Sequence, residues 1–210
     1  MSAVAEHFIT EEEYQRIEEA SPVKHEYYNG RIYAMAGATP AHCLIAFNIQ
    51  GALFVRLRGH PCRGASSDQR VKVEATGLKI YPDLLIVCPP EQYDESDANT
   101  LMNPRVIIEV LSPSTELYDR TGKFDHYKQI TSLTDYILIA QDRVRVEHYQ
   151  RGEAEVWTVR SYNQREHSLT LPELELELPL AEIYDRLELP AGLLLLPEAM
   201  AENTANGTPA

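Results

Sequence analysis

The feature that most constrains this chain is a carboxylate set inside an apolar strand. Val106-Ile107-Ile108-Glu109-Val110-Leu111 reads as one extended run. An ionised carboxylate buried there is costly unless it is paired or coordinated. Asp83 poses the same problem at the start of a second run, Leu84-Leu85-Ile86-Val87, where Pro82 holds the approaching chain extended. That run is unbroken, the pattern of a strand covered on both faces. If the two strands are antiparallel neighbours, the start of one lies beside the end of the other and Asp83 faces Glu109. Two hard oxygen ligands at one strand edge suit Mg²⁺ or Mn²⁺, with water filling the remaining positions. The alternative is a pair of N-cap or salt-bridged carboxylates with no metal between them.

Around these strands, helix and strand signals alternate, which defines an α/β chain. Thr10 and Glu13 form a capping box that opens a helix over about residues 10–19. Asn29-Gly30 between residues 25–28 and 31–35 is a hairpin signal, and Thr39-Pro40 opens a second helix that ends near Gly59. Residues 71–73 read as a strand and the polar stretch 91–103 as a surface loop. After Ser112-Pro113 a helix is expected over 118–130, then a strand over 136–140 and a hairpin from 143–149 and 155–162. Alternating leucine and glutamate suggests one half-buried strand over 169–180. With 210 residues the chain is long enough for one domain, expected over 1–190, with a disordered tail over 191–210.

No apolar run approaches the roughly 18 residues of a membrane span, and no secretory leader is visible at the N-terminus, so a cytoplasmic location is expected. Cys43, Cys62 and Cys88, an odd set without a C-x-x-C pair, are expected as buried free thiols. The net charge of −13 argues against a nucleic-acid partner until its distribution is considered. From Lys24 to Arg165 there are 17 basic and 17 acidic residues, so the acidic excess lies wholly in the flanks. Arg56, Arg58, Arg63, Arg70, Lys72 and Lys79 are left as candidates to meet phosphates.

Pro82-Asp83, followed 26 positions later by Glu109, resembles the PD-(D/E)XK signature of restriction-endonuclease-like proteins. More closely, Pro82-Asp83-Leu84, then Ile108-Glu109-Val110-Leu111-Ser112-Pro113-Ser114-Thr115, then Asp119, Lys123 and Tyr127, is similar to the Uma-type family of restriction endonucleases. The resemblance runs from about Thr10 to Tyr162 and is most specific in the run that begins at Glu109. It implies a restriction-endonuclease-like core, a central mixed β-sheet flanked by helices. It implies an Mg²⁺-dependent endonuclease acting on nucleic acid, DNA in particular, with Asp83 and Glu109 as metal ligands. Fold analogy adds a symmetric homodimer or a higher homo-oligomer, since cutting both strands of a duplex recruits two sites. The other reading is a catalytically inactive nuclease fold that serves as a binding or oligomerisation module.

One departure from the superfamily pattern matters. A strand has a period of two, so the lysine of (D/E)-X-K shares a face with the acid, and Leu111 stands in its place. Lys123 is the candidate replacement. Asp119, Lys123 and Tyr127 are four residues apart on the following helix and share one face. The competing reading is a surface pair between Lys123 and Asp119. Glu26, at the start of the hairpin, resembles the extra acidic residue that some members of this fold add to the site. His42, in the first turn of the second helix, is read either as a phosphate contact or as a satisfied polar histidine. Tyr27, Tyr28 and Tyr33 either stack on bases or pack against the first helix.

Overall fold

The computed structural model describes residues 8–35 and 37–189; the expected tail over 191–210 lies outside them. Thr10 opens α1 (Glu11–Ala20): its hydroxyl accepts from the Glu13 N–H at 3.2 Å, and the Glu13 carboxylate accepts from the Thr10 N–H at 3.4 Å. Strands β1 (His25–Tyr28) and β2 (Arg31–Ala34) pair across Asn29 and Gly30, whose φ values of 49° and 75° supply the left-handed turn. Tyr14 of α1 is fully buried and stacks on Tyr27 of β1, with ring centroids 5.0 Å apart. Tyr28 instead meets the edge of His126, and Tyr33 is exposed.

Helix α2 (Pro40–Arg56) starts on a Thr39 cap and buries Ile45, Ile49 and Leu53 on one face. Short strands follow: β3 (Arg63–Ser66), β4 (Arg70–Val73), β5 (Leu78–Ile80), β6 (Leu84–Val87), β7 (Tyr93–Asp94), β8 (Asp97–Leu101) and the longer β9 (Pro104–Leu111). The expected loop over 91–103 therefore contains a strand pair. Asp97, Thr100 and Leu101 are buried there because Asp97 and Thr100 satisfy the buried Arg70 guanidinium. After β9 come α3 (Glu116–Tyr118), a π-helical turn (Asp119–Lys123) and α4 (Phe124–Tyr127), which run on without a break. They carry the chain over to β10 (Asp135–Ala140), and β11 (Val146–Arg151) and β12 (Trp157–Tyr162) form the next hairpin.

The expected single strand over 169–180 is also corrected. Pro172 and the left-handed Glu175 (φ 52°) fold it into a hairpin of β13 (Ser168–Leu171) and β14 (Leu176–Pro179), followed by α5 (Leu180–Ile183). Its leucines join the core beneath α2.

Two six-stranded sheets result, one ordered β2-β1-β5-β4-β8-β7 and the other β12-β11-β10-β9-β6-β3. The second is mixed, since β9 and β10 are parallel while its other neighbours are antiparallel. The chain thus has the expected mixed-sheet α/β architecture. Period two explains the unbroken apolar runs: Leu84, Ile86, Val106 and Ile108 face the core under α2, whereas Leu85, Val87, Ile107 and Leu111 face the opposite core with Tyr127 and Tyr136.

The cysteine expectation fails. Arg63 pairs with Val87, so Cys62 and Cys88 flank that pair and lie side by side, where they form a disulfide. Cys43 is free and exposed. Among the described residues, no helix is long and apolar enough to cross a membrane.

Candidate active site

The antiparallel pairing of β6 with β9, with Leu84 opposite Ile108, brings Asp83 against Glu109 at one end of the strand pair. Oδ2 of Asp83 accepts from the Val110 N–H at 2.8 Å, and Nε2 of His42 lies 3.0 Å from the same oxygen. The Asp83 N–H donates to Oε2 of Glu109 at 3.3 Å. Oε1 of Glu109 accepts from the Lys123 ammonium at 3.1 Å and from the Tyr127 hydroxyl at 3.0 Å. Lys123 also stands 2.8 Å from Oδ1 of Asp119, an ion pair outside hydrogen-bond alignment. Glu109, Asp119, Lys123 and Tyr127 are all buried, whereas the Asp83 side chain is 18 % exposed and opens the cluster to solvent.

The lysine enters this site from the helix, because the strand position holds Leu111, which is packed into the core. The pair between Lys123 and Asp119 is no surface interaction, since both side chains are buried. The π-helical turn carries both residues, a widening often found where a helix serves a site. Glu26, on β1 of the other sheet, acts on the cluster through its charge. Its charge is felt at Lys123, Tyr118 and Tyr127.

The electrostatics follow from crowding. Burial pushes the Glu109 carboxyl up to about 8, helped by the charges of Asp83 and Asp119 and only partly opposed by Lys123. Burial also raises Glu26, with Lys123 pulling it down and Asp119 pushing it up. For Lys123, burial works against the ammonium, but Glu109, Asp119 and Glu26 outweigh it and hold the pKa above the ordinary lysine value. Burial and the Glu26 charge push the Tyr118 hydroxyl up to about 12. Three carboxyl groups, Glu26, Glu109 and Asp119, thus act on the Lys123 ammonium, and a fourth, Asp83, adds its charge at Glu109.

That excess of hard oxygen donors suits a divalent cation. Oδ1 of Asp83 has no hydrogen-bond partner among the described residues, and Oε2 of Glu109 receives only the long bond from Asp83. Among the described residues, no three His, Cys, Asp or Glu side chains are grouped closely enough to hold a metal alone. A two-carboxylate site completed by water is the arrangement expected of Mg²⁺, which dehydrates reluctantly.

Two partners were not legible beforehand. His42 was visible only as a first-turn residue; nothing in the sequence placed the start of α2 over the start of β6. The hydrogen bond of Tyr127 to Glu109 was foreshadowed only by its spacing from Asp119 and Lys123. The six cations proposed to meet phosphates are mostly engaged elsewhere. Arg56 pairs with Glu182, Arg63 with Glu91, Arg70 with Asp97, Lys72 with Glu11 and Asp94, and Lys79 with Glu11; Arg58 lies over the Phe54 ring. Nearer the site, Gln141 just past β10 donates to the Leu111 carbonyl, and the half-exposed Arg143 follows it.

The mixed sheet with helical cover, which sets Asp83 against Glu109 at one strand edge, is that of the restriction-endonuclease-like fold. The chain belongs to the Uma2 family, described as "Putative restriction endonuclease", whose sequence profile matches residues 11–181. Two uncharacterized proteins of Synechocystis sp. are similar to it. One is 33% identical over 84% of this chain and 91% of its own length, the other 32% identical over 71% and 84%. The crystal structure of a putative nuclease belonging to DUF820 from Anabaena variabilis superposes with a TM-score of 0.67 at 18% identity, covering 84% of this chain and 97% of that one.

Proposed function

We propose that this protein is a metal-dependent endonuclease that hydrolyses phosphodiester bonds of nucleic acid, DNA in particular, in the cytoplasm. In this reading Asp83 and Glu109 hold Mg²⁺ or Mn²⁺, Lys123 stabilises charge at the reacting phosphate, and Glu26 adds to the negative field. The observation that carries it is the buried Glu109 facing Asp83 and tied to Lys123. The family description supports the substrate class.

When bound, the ion supplies positive charge to polarise a phosphoryl oxygen and to acidify water. The chain's own residues do the rest. Asp83 is oriented by the Val110 N–H and His42, which hold Oδ2 and leave Oδ1 without a hydrogen-bond partner among the described residues. Tyr127 and Lys123 fix the Glu109 carboxylate from the other side. Lys123 keeps its proton because three carboxyl groups surround it, so it acts as a fixed cation that stabilises developing charge and does not serve as a base.

The test is calorimetric titration of Mg²⁺ and Mn²⁺ into the protein, with plasmid nicking assayed on the same sample. Binding with metal-dependent nicking is expected. Neither binding nor cleavage would return the reading of an inactive nuclease fold used as a binding module.

A further inference from the structure

We propose that the outward face of α2, together with the open edge of β3, is a self-association surface that takes a second copy of this chain. The inference does not rest on the nuclease reading. From Pro40 to Val55, sixteen positions of a 17-residue helix, there is no Asp, Glu, Lys or Arg. Ile45, Ile49 and Leu53 turn that helix toward the core, yet its opposite side carries Phe47 at 73% exposure and Phe54 at 64%, seven residues apart on one face. Apart from Gln50, the exposed positions of this helix from Cys43 to Val55 are apolar, and no described residue covers that side.

The neighbouring strand has the same deficit. Among the described residues, β3 is the last strand of its sheet and pairs only with β6, so its outer backbone groups have no ladder partner there. Between α2 and β3 lies a groove of about 650 Å³ whose walls include Gln50, Phe54, Leu57 and Pro61, together with the Arg63–Glu91 ion pair, whose charges offset each other.

A second copy satisfies all three features at once. Two β3 strands paired antiparallel across a two-fold axis would join the two sheets. The α2 helices would then lie side by side on one face of the joined sheet, with each Phe54 directed at the other copy's groove. Charge favours the same partner. The chain carries −13, and two such molecules repel least where their surfaces hold no acid, as along α2. A helix face about 25 Å long with the adjoining groove and edge is on the scale of the roughly 800 Å² per partner that standard interfaces bury.

The experiment is sedimentation equilibrium of the full chain alongside Phe54→Glu and Phe47→Glu, with circular dichroism melts of each. Both side chains are exposed, so the melts report whether the fold survives. The expected result is a dimer, twice the 23.8 kDa chain mass, for the parent chain, with dimer Kd raised at least about 100-fold in both folded variants. If one variant fails to fold, the other decides. A monomeric parent chain, or dimers that neither substitution weakens, would overturn the proposal. A full chain that dimerises only when Leu194→Asp and Leu195→Asp are introduced would also overturn it, since its own C-terminal leucines would then be the occupant.

Discussion

At the scale of single residues, Glu109 carries the most information. Its position in an apolar strand was legible because period two leaves a carboxylate there no exposed face. The helical spacing that joins Asp119, Lys123 and Tyr127 was legible for the same kind of reason. What stayed hidden was tertiary: that His42 reaches Asp83, and that the pair of Lys123 with Asp119 is buried. Two predictions belong here. Lys123→Met removes the charge and keeps the stem, so metal affinity by calorimetry should persist while cleavage falls about 100-fold, the scale for losing one electrostatic stabiliser. The second concerns pH. The Glu109 carboxyl is raised from 4.5 to about 8 in the fold, so the folded state binds its proton more tightly than the unfolded chain. Its contribution to metal-free stability is fully present below pH 4.5 and is lost as pH rises through about 8. Glu109→Gln imitates the protonated form. Without metal, the variant should melt about 3–6 °C above the parent at pH 8, corresponding to ~1–2 kcal/mol, and the gap should close toward pH 5. A gap that widens on acidification would reverse the assigned sign.

At the scale of elements, local chemistry marked starts and turns better than partners. The Thr10 capping box, the Asn29-Gly30 turn and the Thr39-Pro40 start are all short-range devices, and each is in place. The misread segments depend on distant contacts. β8 forms against β4 because Arg70 needs Asp97 and Thr100, and none of those residues announces the others in sequence. Residues 169–180 kept their alternating pattern through the reversal at Pro172, so periodicity alone could not show the hairpin. The Thr39 cap links an element to the site, because its hydroxyl accepts from the N–H of His42, whose ring touches Asp83. Thr39→Ala should therefore cost ~1 kcal/mol of stability, seen as a lower urea midpoint at unchanged slope. It should also weaken Mg²⁺ binding by about tenfold, as loss of support behind a ligand does. An unchanged affinity beside the lost stability would detach the start of α2 from the metal site.

At the scale of the whole molecule, two sheets and their helices converge on one carboxylate cluster: β6 and β9 bring the acids, the helix after β9 brings the lysine, and β1 of the other sheet brings Glu26. The acidic flanks obscured this in the composition, and the engagement of most central cations in ion pairs explains why a count of Lys and Arg says little about phosphate binding. The central claim is that Asp83 and Glu109 form one metal-binding catalytic pair. It is tested most directly by the rate at which supercoiled plasmid is nicked in Mg²⁺, comparing the parent chain with Asp83→Asn and Glu109→Gln at equal folded concentration. The expected result is metal-dependent nicking by the parent, a loss of about 100-fold or more in each variant, and melting temperatures in the absence of metal no lower than the parent's. Nicking by either variant at the parent rate would contradict the claim.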